Sequence, residues 1–256
     1  MSGITAVIIT KNEEKNLGRC LESLAEIVDE ILILDSFSTD GTEAIARKYG
    51  ARFVSQEWLG YAATKNRGNE LASGSYVLSL DADEALSPAL AASIKAVKMQ
   101  LKGCYAFNRL NHYAEKPIRR CGWYPDRKMR LFPKGQAKWQ GDFVHEEIVR
   151  EAGLKESFLK GDLLHYTYAS VEDHVGRANR YSSLAAKEIA ASGKSNLRLH
   201  AYFSTFARFF KIYIMKLGIL EGFYGLMIAR INSREVWLKY MKAYELRLKS
   251  GISSQS

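Results

Sequence analysis

Five β-forming residues, Tyr76 to Leu80, run directly into the acids Asp81, Asp83 and Glu84. An apolar run of this length, opened by Ser73-Gly74-Ser75, predicts a buried strand. Carboxylates at the C-terminal end of such a strand lie where open α/β sheets hold their ligands. Asp81 and Asp83, two residues apart, could converge through a turn on one hard cation, Mg²⁺ or Mn²⁺, bridging to a diphosphate. The structural alternative is a plain turn followed by the acidic first turn of a helix.

The segments before this run repeat one alternation. Ile4–Ile9 is apolar on both faces, as parallel strands require, and a helix follows from about Glu14 to Ala25. Glu30–Leu34 predicts a second strand ending in Asp35, and Ser38-Thr39-Asp40-Gly41 a turn, with Asp40 as N-cap of a helix over Thr42–Tyr49. Arg52–Ser55 predicts a third strand and Tyr61–Ala72 a helix; Ser87-Pro88 caps a further helix reaching about Leu101. Strands alternating with helices imply right-handed βαβ units and a mostly parallel sheet. Asn12, Asp35 and Asp81 all follow strand ends, so the cleft should open along that edge. After Cys104 the pattern is less regular, with short strands expected at Tyr105–Asn108, Lys128–Phe132 and Phe143–Val149. Val171–Ala191 and much of Leu197–Leu248 are helix-compatible.

Composition narrows the function classes. The chain has 256 residues and a formal net charge of +9, which leaves anionic substrates, an anionic membrane surface and nucleic acid as partners. The lysines and arginines are dispersed and no nucleic-acid-binding motif appears, so no specific nucleic acid is expected. Three cysteines without metal-ligand spacing indicate a reducing compartment and no disulfide framework. The N-terminus has no signal-peptide pattern, and no stretch approaches the roughly 20 apolar residues of a spanning helix, so a cytoplasmic or peripheral protein is expected. Phe203, Phe206, Phe210 and Tyr213 recur at helical spacing among Arg208, Lys211 and Lys216; this is either a core stripe or an interfacial helix at anionic lipid.

Three blocks, I-T-A-V-I-I-T-K-N-E-E-K-N-L, I-L-I-L-D-S-F-S-T-D-G-T and L-S-L-D-A-D-E, resemble glycosyltransferase family 2 in order and spacing. The resemblance implies a GT-A nucleotide-sugar-binding fold: a mostly parallel mixed sheet over residues 1–195, with a nucleotide half to about 103 and an acceptor half from 104 to 195. A helical C-terminal extension over 196–256 would follow. K-N-R-G at 65–68, M-R-L-F at 129–132, V-H-E-E at 144–147 and the C-terminal aromatic run are similar to the bacterial branch that adds glucose to the lipopolysaccharide inner core. The implied reaction is metal-dependent inverting transfer of a hexose, glucose from UDP-glucose, to a heptose of a lipid-linked saccharide acceptor. Transfer to another lipid-linked or surface glycan is the alternative, and a basic nucleic-acid-binding protein is a remote one.

Carried over by motif, Thr10, Asn12 and Glu13 would line the nucleotide pocket, Asp35 would meet uracil or ribose, and Lys65 the diphosphate. Asp81 and Asp83 would together supply the metal and ribose carboxylates, both as metal ligands, with His165 a third metal ligand or a core histidine. Glu146 falls at the catalytic-base position, whereas His145 is expected in the core. Trp123 and Tyr124 would form an acceptor sugar platform and Arg130 a phosphate clamp, although Trp123 could equally be core. Two departures from the family pattern stand out: Asp35 is followed by Ser36 rather than a second acid, and the base segment reads His145-Glu146-Glu147 rather than Glu-Asp.

Overall fold

The structure is a computed structural model that describes residues 3–141 and 146–251. In chain order the elements are β1 (Ile4–Thr10), α1 (Leu17–Glu22), β2 (Glu30–Asp35), α2 (Thr42–Lys48), β3 (Arg52–Ser55), α3 (Tyr61–Leu71), β4 (Tyr76–Asp81), β5 (Glu84–Leu86) and α4 (Pro88–Val97). They continue with β6 (Cys104–Tyr113), β7 (Lys116–Pro117), β8 (Asp126–Pro133), β9 (Ala137–Gln140), β10 (Glu147–Arg150), β11 (Glu156–Tyr168), α5 (Val171–Ala191), α6 (Leu197–Phe210) and α7 (Phe223–Lys249).

The main sheet has the order β3-β2-β1-β4-β8-β6-β11-β5, with β7 attached to β6. β3, β2, β1 and β4 are parallel, whereas β8 meets β4 and β6 meets β8 antiparallel. Side chains of successive strand residues face opposite sides, and β1 divides accordingly. Ile4, Ala6 and Ile8 enter a core with Leu17, Leu21, Leu90 and Ile94, while Val7 joins Leu32, Leu34 and Val77 in a second core. Both faces are therefore covered, which explains why β1 reads as a continuous apolar run. The register sets Thr10 opposite Asp35 and Ile9 opposite Asp81, so both acids stand at the C-terminal edge of the parallel strands.

The chain forms two compact units, residues 1–110 with 126–165, and residues 111–125 with 166–256. The second unit contains α5, α6 and α7, and position 195 lies in its α5–α6 connection. Its cores gather Tyr113, Ile118, Ile212 and Ile228 in one cluster and Ala186, Leu197, Val236 and Tyr240 in another.

Several local expectations need correction. The helix expected over 14–25 contracts to Leu17–Glu22, because the chain turns through Leu24 and Ile27, whose N–H donates to the Leu24 carbonyl, to enter β2. Gly41 occupies the N-cap of α2; Asp40, one residue earlier, instead accepts from the Thr42 N–H and hydroxyl and from the Glu14 N–H. Asp81–Glu84 do not open a helix: Glu84–Leu86 form β5 against β11, and Ser87 caps α4 by accepting from the Leu90 N–H. β11 was not legible as a strand, since its polar residues break strict alternation. Of the expected strand Phe143–Val149, residues 143–145 lie outside the described residues, and pairing begins at Glu147.

Candidate active site

Lys65 is the hub of the first unit's polar cavity. The K-N-R-G run puts it there by assigning three of its residues separate jobs on α3. Gly68 faces β1 so closely that a Cβ would come 2.4 Å from Val7 Cγ1, and the helix consequently lies tight on the sheet. Asn66 clamps β9: its amide donates to the Trp139 carbonyl at 2.9 Å and its carbonyl accepts from the Trp139 N–H at 2.8 Å. Lys65, only 2% exposed, then points Nζ at Asp81 Oδ1, 2.8 Å away, and at Glu146 Oε1, 3.3 Å away. Its ammonium also lies 4.2 Å from the centroid of the Trp139 ring, a contact an aromatic face favours.

Arg130 enters the same cluster from β8. It is buried. One Nη donates to Glu84 Oε1 at 2.9 Å and to Asp81 Oδ2 at 3.3 Å. Glu84 in turn accepts from the Asp81 backbone N–H at 3.0 Å, tying the end of β4 to the start of β5. Arg109 lies 3.6 Å from Glu84 and is held by Asp126 at 2.8 Å. The cavity, about 390 Å³, is bordered by the cations Lys65, Arg109, Arg127, Lys128 and Arg130 and by the acids Asp81, Glu146 and Glu147. Excess positive charge in a walled cleft suits a polyanionic ligand.

The acids in this cluster are tuned in opposite directions. Burial pushes the Asp81 carboxyl up, but Lys65 and then Arg130 outweigh it and hold the group well below the usual carboxylate range. Burial also raises Glu146, and there the attraction of Lys65 does not reverse it, so this carboxyl stays above its ordinary value. Arg130 is raised: burial lowers it, and Glu84 and Asp81 more than compensate. Among the described residues, Glu146 Oε2 and Arg130 Nε are buried without a hydrogen-bond partner. A buried acceptor and a buried donor left unpaired by the protein on one cavity mark a place for ligand groups.

The loops after β1 and β2 form a second cluster. Asp35 accepts from the Thr10 hydroxyl at 2.8 Å, from the Ser38 N–H at 2.7 Å and from the Ser38 hydroxyl. Asn12, with φ of 56°, donates its N–H to Ser38 and accepts from the Thr39 N–H at 2.8 Å. The Glu13 N–H donates to the Thr42 hydroxyl, and its carboxylate accepts from Asn16. Thr10, Asn12, Glu13 and Asp35 thus lock two adjacent strand-end loops together.

Asp83 faces His165, with 3.4 Å between Oδ2 and Nε2. Among the described residues no three His, Cys, Asp or Glu side chains converge as a metal cluster, and both Asp81 oxygens are engaged by Lys65 and Arg130. A carboxylate beside an imidazole nevertheless fits a divalent cation whose remaining oxygens come from a diphosphate and water.

Trp123 and Tyr124 belong to the second unit. Trp123 is half-buried against Tyr113 and Tyr168, with centroids 6.4 and 5.9 Å away, and Tyr124 lies 5.1 Å from the Arg119 guanidinium. His145 lies outside the described residues. Both Glu146 and Glu147 border the cavity, so strand alternation does not separate them; Glu146 precedes β10 and meets Lys65, whereas Glu147 is exposed. Sequence reasoning missed Glu84, Arg109, Asn66 and Trp139. Glu84 stood in the acidic run and Asn66 in K-N-R-G without a role that either run discloses; Trp139 is buried between exposed Lys138 and Gln140.

Residues 5–160 match the model of the family described as Glycosyl transferase family 2, and the chain belongs to that family. It is therefore a glycosyltransferase, built on the family's GT-A type of α/β fold with C-terminal helices added. A relative named as an uncharacterized glycosyltransferase of Rickettsia felis is 31% identical, covering 98% of this chain and 92% of that protein. The lipopolysaccharide core biosynthesis glycosyltransferase LpsC of Rhizobium meliloti is 29% identical over 93% of each chain. Among solved structures, glucosyl-3-phosphoglycerate synthase from Mycobacterium tuberculosis, with Mn²⁺, UDP and glucosyl-3-phosphoglycerate, is 26% identical over 43% of this chain and 44% of that one, with a TM-score of 0.36.

Proposed function

We propose that the enzyme is an inverting hexosyltransferase that moves glucose from UDP-glucose to a lipid-linked saccharide, a heptose of the lipopolysaccharide inner core, at the cytoplasmic face of the inner membrane. The observation that carries the reaction is the shared use of Lys65 by Asp81 and Glu146, with one Glu146 oxygen left unpartnered. The acceptor class is supported by the LpsC relative, similar along nearly its whole length.

In this reading Asp83 and His165 hold a divalent cation, which when bound neutralises charge growing on the leaving diphosphate. Lys65 and Arg130 supply fixed positive charge to the same phosphates. Thr10, Asn12, Glu13 and Asp35 shape the loops that receive uracil and ribose. Trp123 and Tyr124 serve the acceptor. Glu146 takes the acceptor hydroxyl proton, and no protein nucleophile is needed for direct displacement. A diphosphate competes with Glu146 for Lys65. Donor binding thereby releases the carboxylate and leaves a stronger base, since the attraction that lowers its pKa is withdrawn.

A donor screen with purified core acceptor tests this reading. UDP-glucose with Mn²⁺ or Mg²⁺ should give transfer to the heptose with inversion, detected by mass spectrometry and the anomeric NMR signal. Transfer from another nucleotide sugar alone, or retention at the anomeric carbon, would contradict it.

A further inference from the structure

The connection between α6 and α7 presents apolar side chains outward from a tightly built backbone. α6 runs into a π-helical turn at Lys211–Met215, then a 3-10 turn at Gly218–Glu221, before α7 begins at Phe223. Met215, Leu220 and Phe223 are each about two-thirds exposed, at 66, 66 and 65%. Phe203 and Phe206 continue the exposed apolar surface along α6 at 73 and 72%. So many large apolar groups exposed on one continuous stretch exceed the isolated surface apolars of ordinary proteins.

This exposure is enforced by the backbone. Leu217 has φ of 54°, and a Cβ at Gly225 would come 1.8 Å from the Gly218 carbonyl oxygen, so the turn is closed by direct backbone approach. Glu221, buried, accepts at Oε1 from the backbone N–H groups of Arg119 and Arg120, and its backbone carbonyl accepts from Lys116 Nζ at 3.2 Å. These ties hold the turn in place within the second unit, and its apolar side chains are held outward.

Charge identifies the occupant. From residue 190 to residue 234, Glu221 is the only acid, and it is internal. Arg208, Lys211, Lys216, Arg230 and Arg234 are all exposed. A protein partner covering the apolar turn would have to desolvate Lys211 and Lys216, and charged residues are depleted from the cores of such interfaces. At a bilayer a lysine keeps its ammonium among the headgroups while its stem lies along apolar surface. Among the described residues no helix is long and apolar enough to cross a membrane.

We infer that the α6–α7 turn is a membrane-docking element, inserting Met215, Leu220 and Phe223 to headgroup depth in an anionic bilayer while Lys211 and Lys216 contact the lipid phosphates. This placement stands on residues outside the polar cavity and does not depend on which sugar is transferred.

Full-length protein should co-sediment with phosphatidylcholine vesicles containing phosphatidylglycerol, and less so with phosphatidylcholine alone or in high salt. The double variant Leu220→Ser, Phe223→Ser should lose vesicle binding about tenfold or more, with its circular dichroism and UDP affinity unchanged. Lys211→Gln, Lys216→Gln should lose the preference for anionic vesicles. Absence of vesicle binding by the wild type in low salt, or full binding by the apolar variant, would overturn the assignment. So would a wild-type dimer in light scattering that the apolar variant converts to monomer, since a second copy would then be the occupant. Loss of UDP binding by wild type would instead count against the enzyme reading and leave the vesicle result to stand alone.

Discussion

Lys65 Nζ and Asp81 Oδ1 stand 2.8 Å apart, joining α3 to the last residue of β4. The lysine is nearly inaccessible while the aspartate side chain keeps 30% exposure, so the pair opens to solvent on the acid's side alone. Removing one partner of a buried pair strands the other charge. Here Arg130 remains beside Asp81 and moderates the loss. Lys65→Met should therefore lower unfolding free energy by about 2 kcal/mol, below the usual cost of breaking a fully buried pair. UDP affinity should fall about tenfold or more with the missing charge. Urea unfolding and titration calorimetry check the two effects separately, and an unchanged UDP affinity would remove Lys65 from the donor site.

The acids Asp81 and Glu146 should answer pH with opposite signs. Asp81 is depressed in the folded protein, so its contribution is present above the unfolded carboxylate pKa of about 3.9 and is lost as pH falls toward the folded value. Glu146 is raised, so the native state loses stability as pH climbs from about 4.3 through the folded pKa. At neutral pH Asp81→Asn should accordingly lower Tm, whereas Glu146→Gln should leave it unchanged or raise it. Thermal scans from pH 4 to 8 provide the comparison. A large Tm loss in Glu146→Gln would mean that its pairing with Lys65 outweighs its burial.

Much of the nucleotide half was legible because parallel strands covered on both faces must be apolar, and β1, β2 and β4 carry that signature in strand-sized runs, whereas β3, at the sheet edge, is only half-covered. The Ser87-Pro88 start of α4 and the full extent of α5 followed from local cap chemistry and periodicity. β5 and β11 were not legible, because their pairing depends on a partner about 80 residues distant and leaves no local pattern. The site shows the same division. Strand ends disclosed Asp35 and Asp81, but the Arg130–Glu84 pair joins residues 46 apart, and Arg130 read in isolation gives a phosphate clamp without its acidic partner. Asn66 and Gly68 were visible in the K-N-R-G run, yet their work, clamping β9 and touching β1, is defined only once those strands are in place.

Asp83 and His165 carry the proposed metal role without Asp81. Asp83→Ala and His165→Ala should each weaken Mn²⁺-dependent UDP binding at least tenfold, by calorimetry with and without chelator, with circular dichroism confirming the fold of each variant. Metal-dependent UDP binding that survives both substitutions would place the cation elsewhere.

The assignment of Glu146 as base is tested most directly by steady-state transfer with the variants Glu146→Gln and Glu147→Gln compared in parallel. Glu146 is half-buried against Lys65 with a raised pKa, whereas Glu147 is exposed at the rim. Glu146→Gln keeps the size and some hydrogen bonding of the side chain but removes its basicity. It should lower kcat about 10²-fold or more, with UDP-sugar affinity near wild type, and Glu147→Gln should keep most activity. An inactive Glu147→Gln beside a fully active Glu146→Gln would move the base by one residue, and normal turnover by both would place it outside this segment.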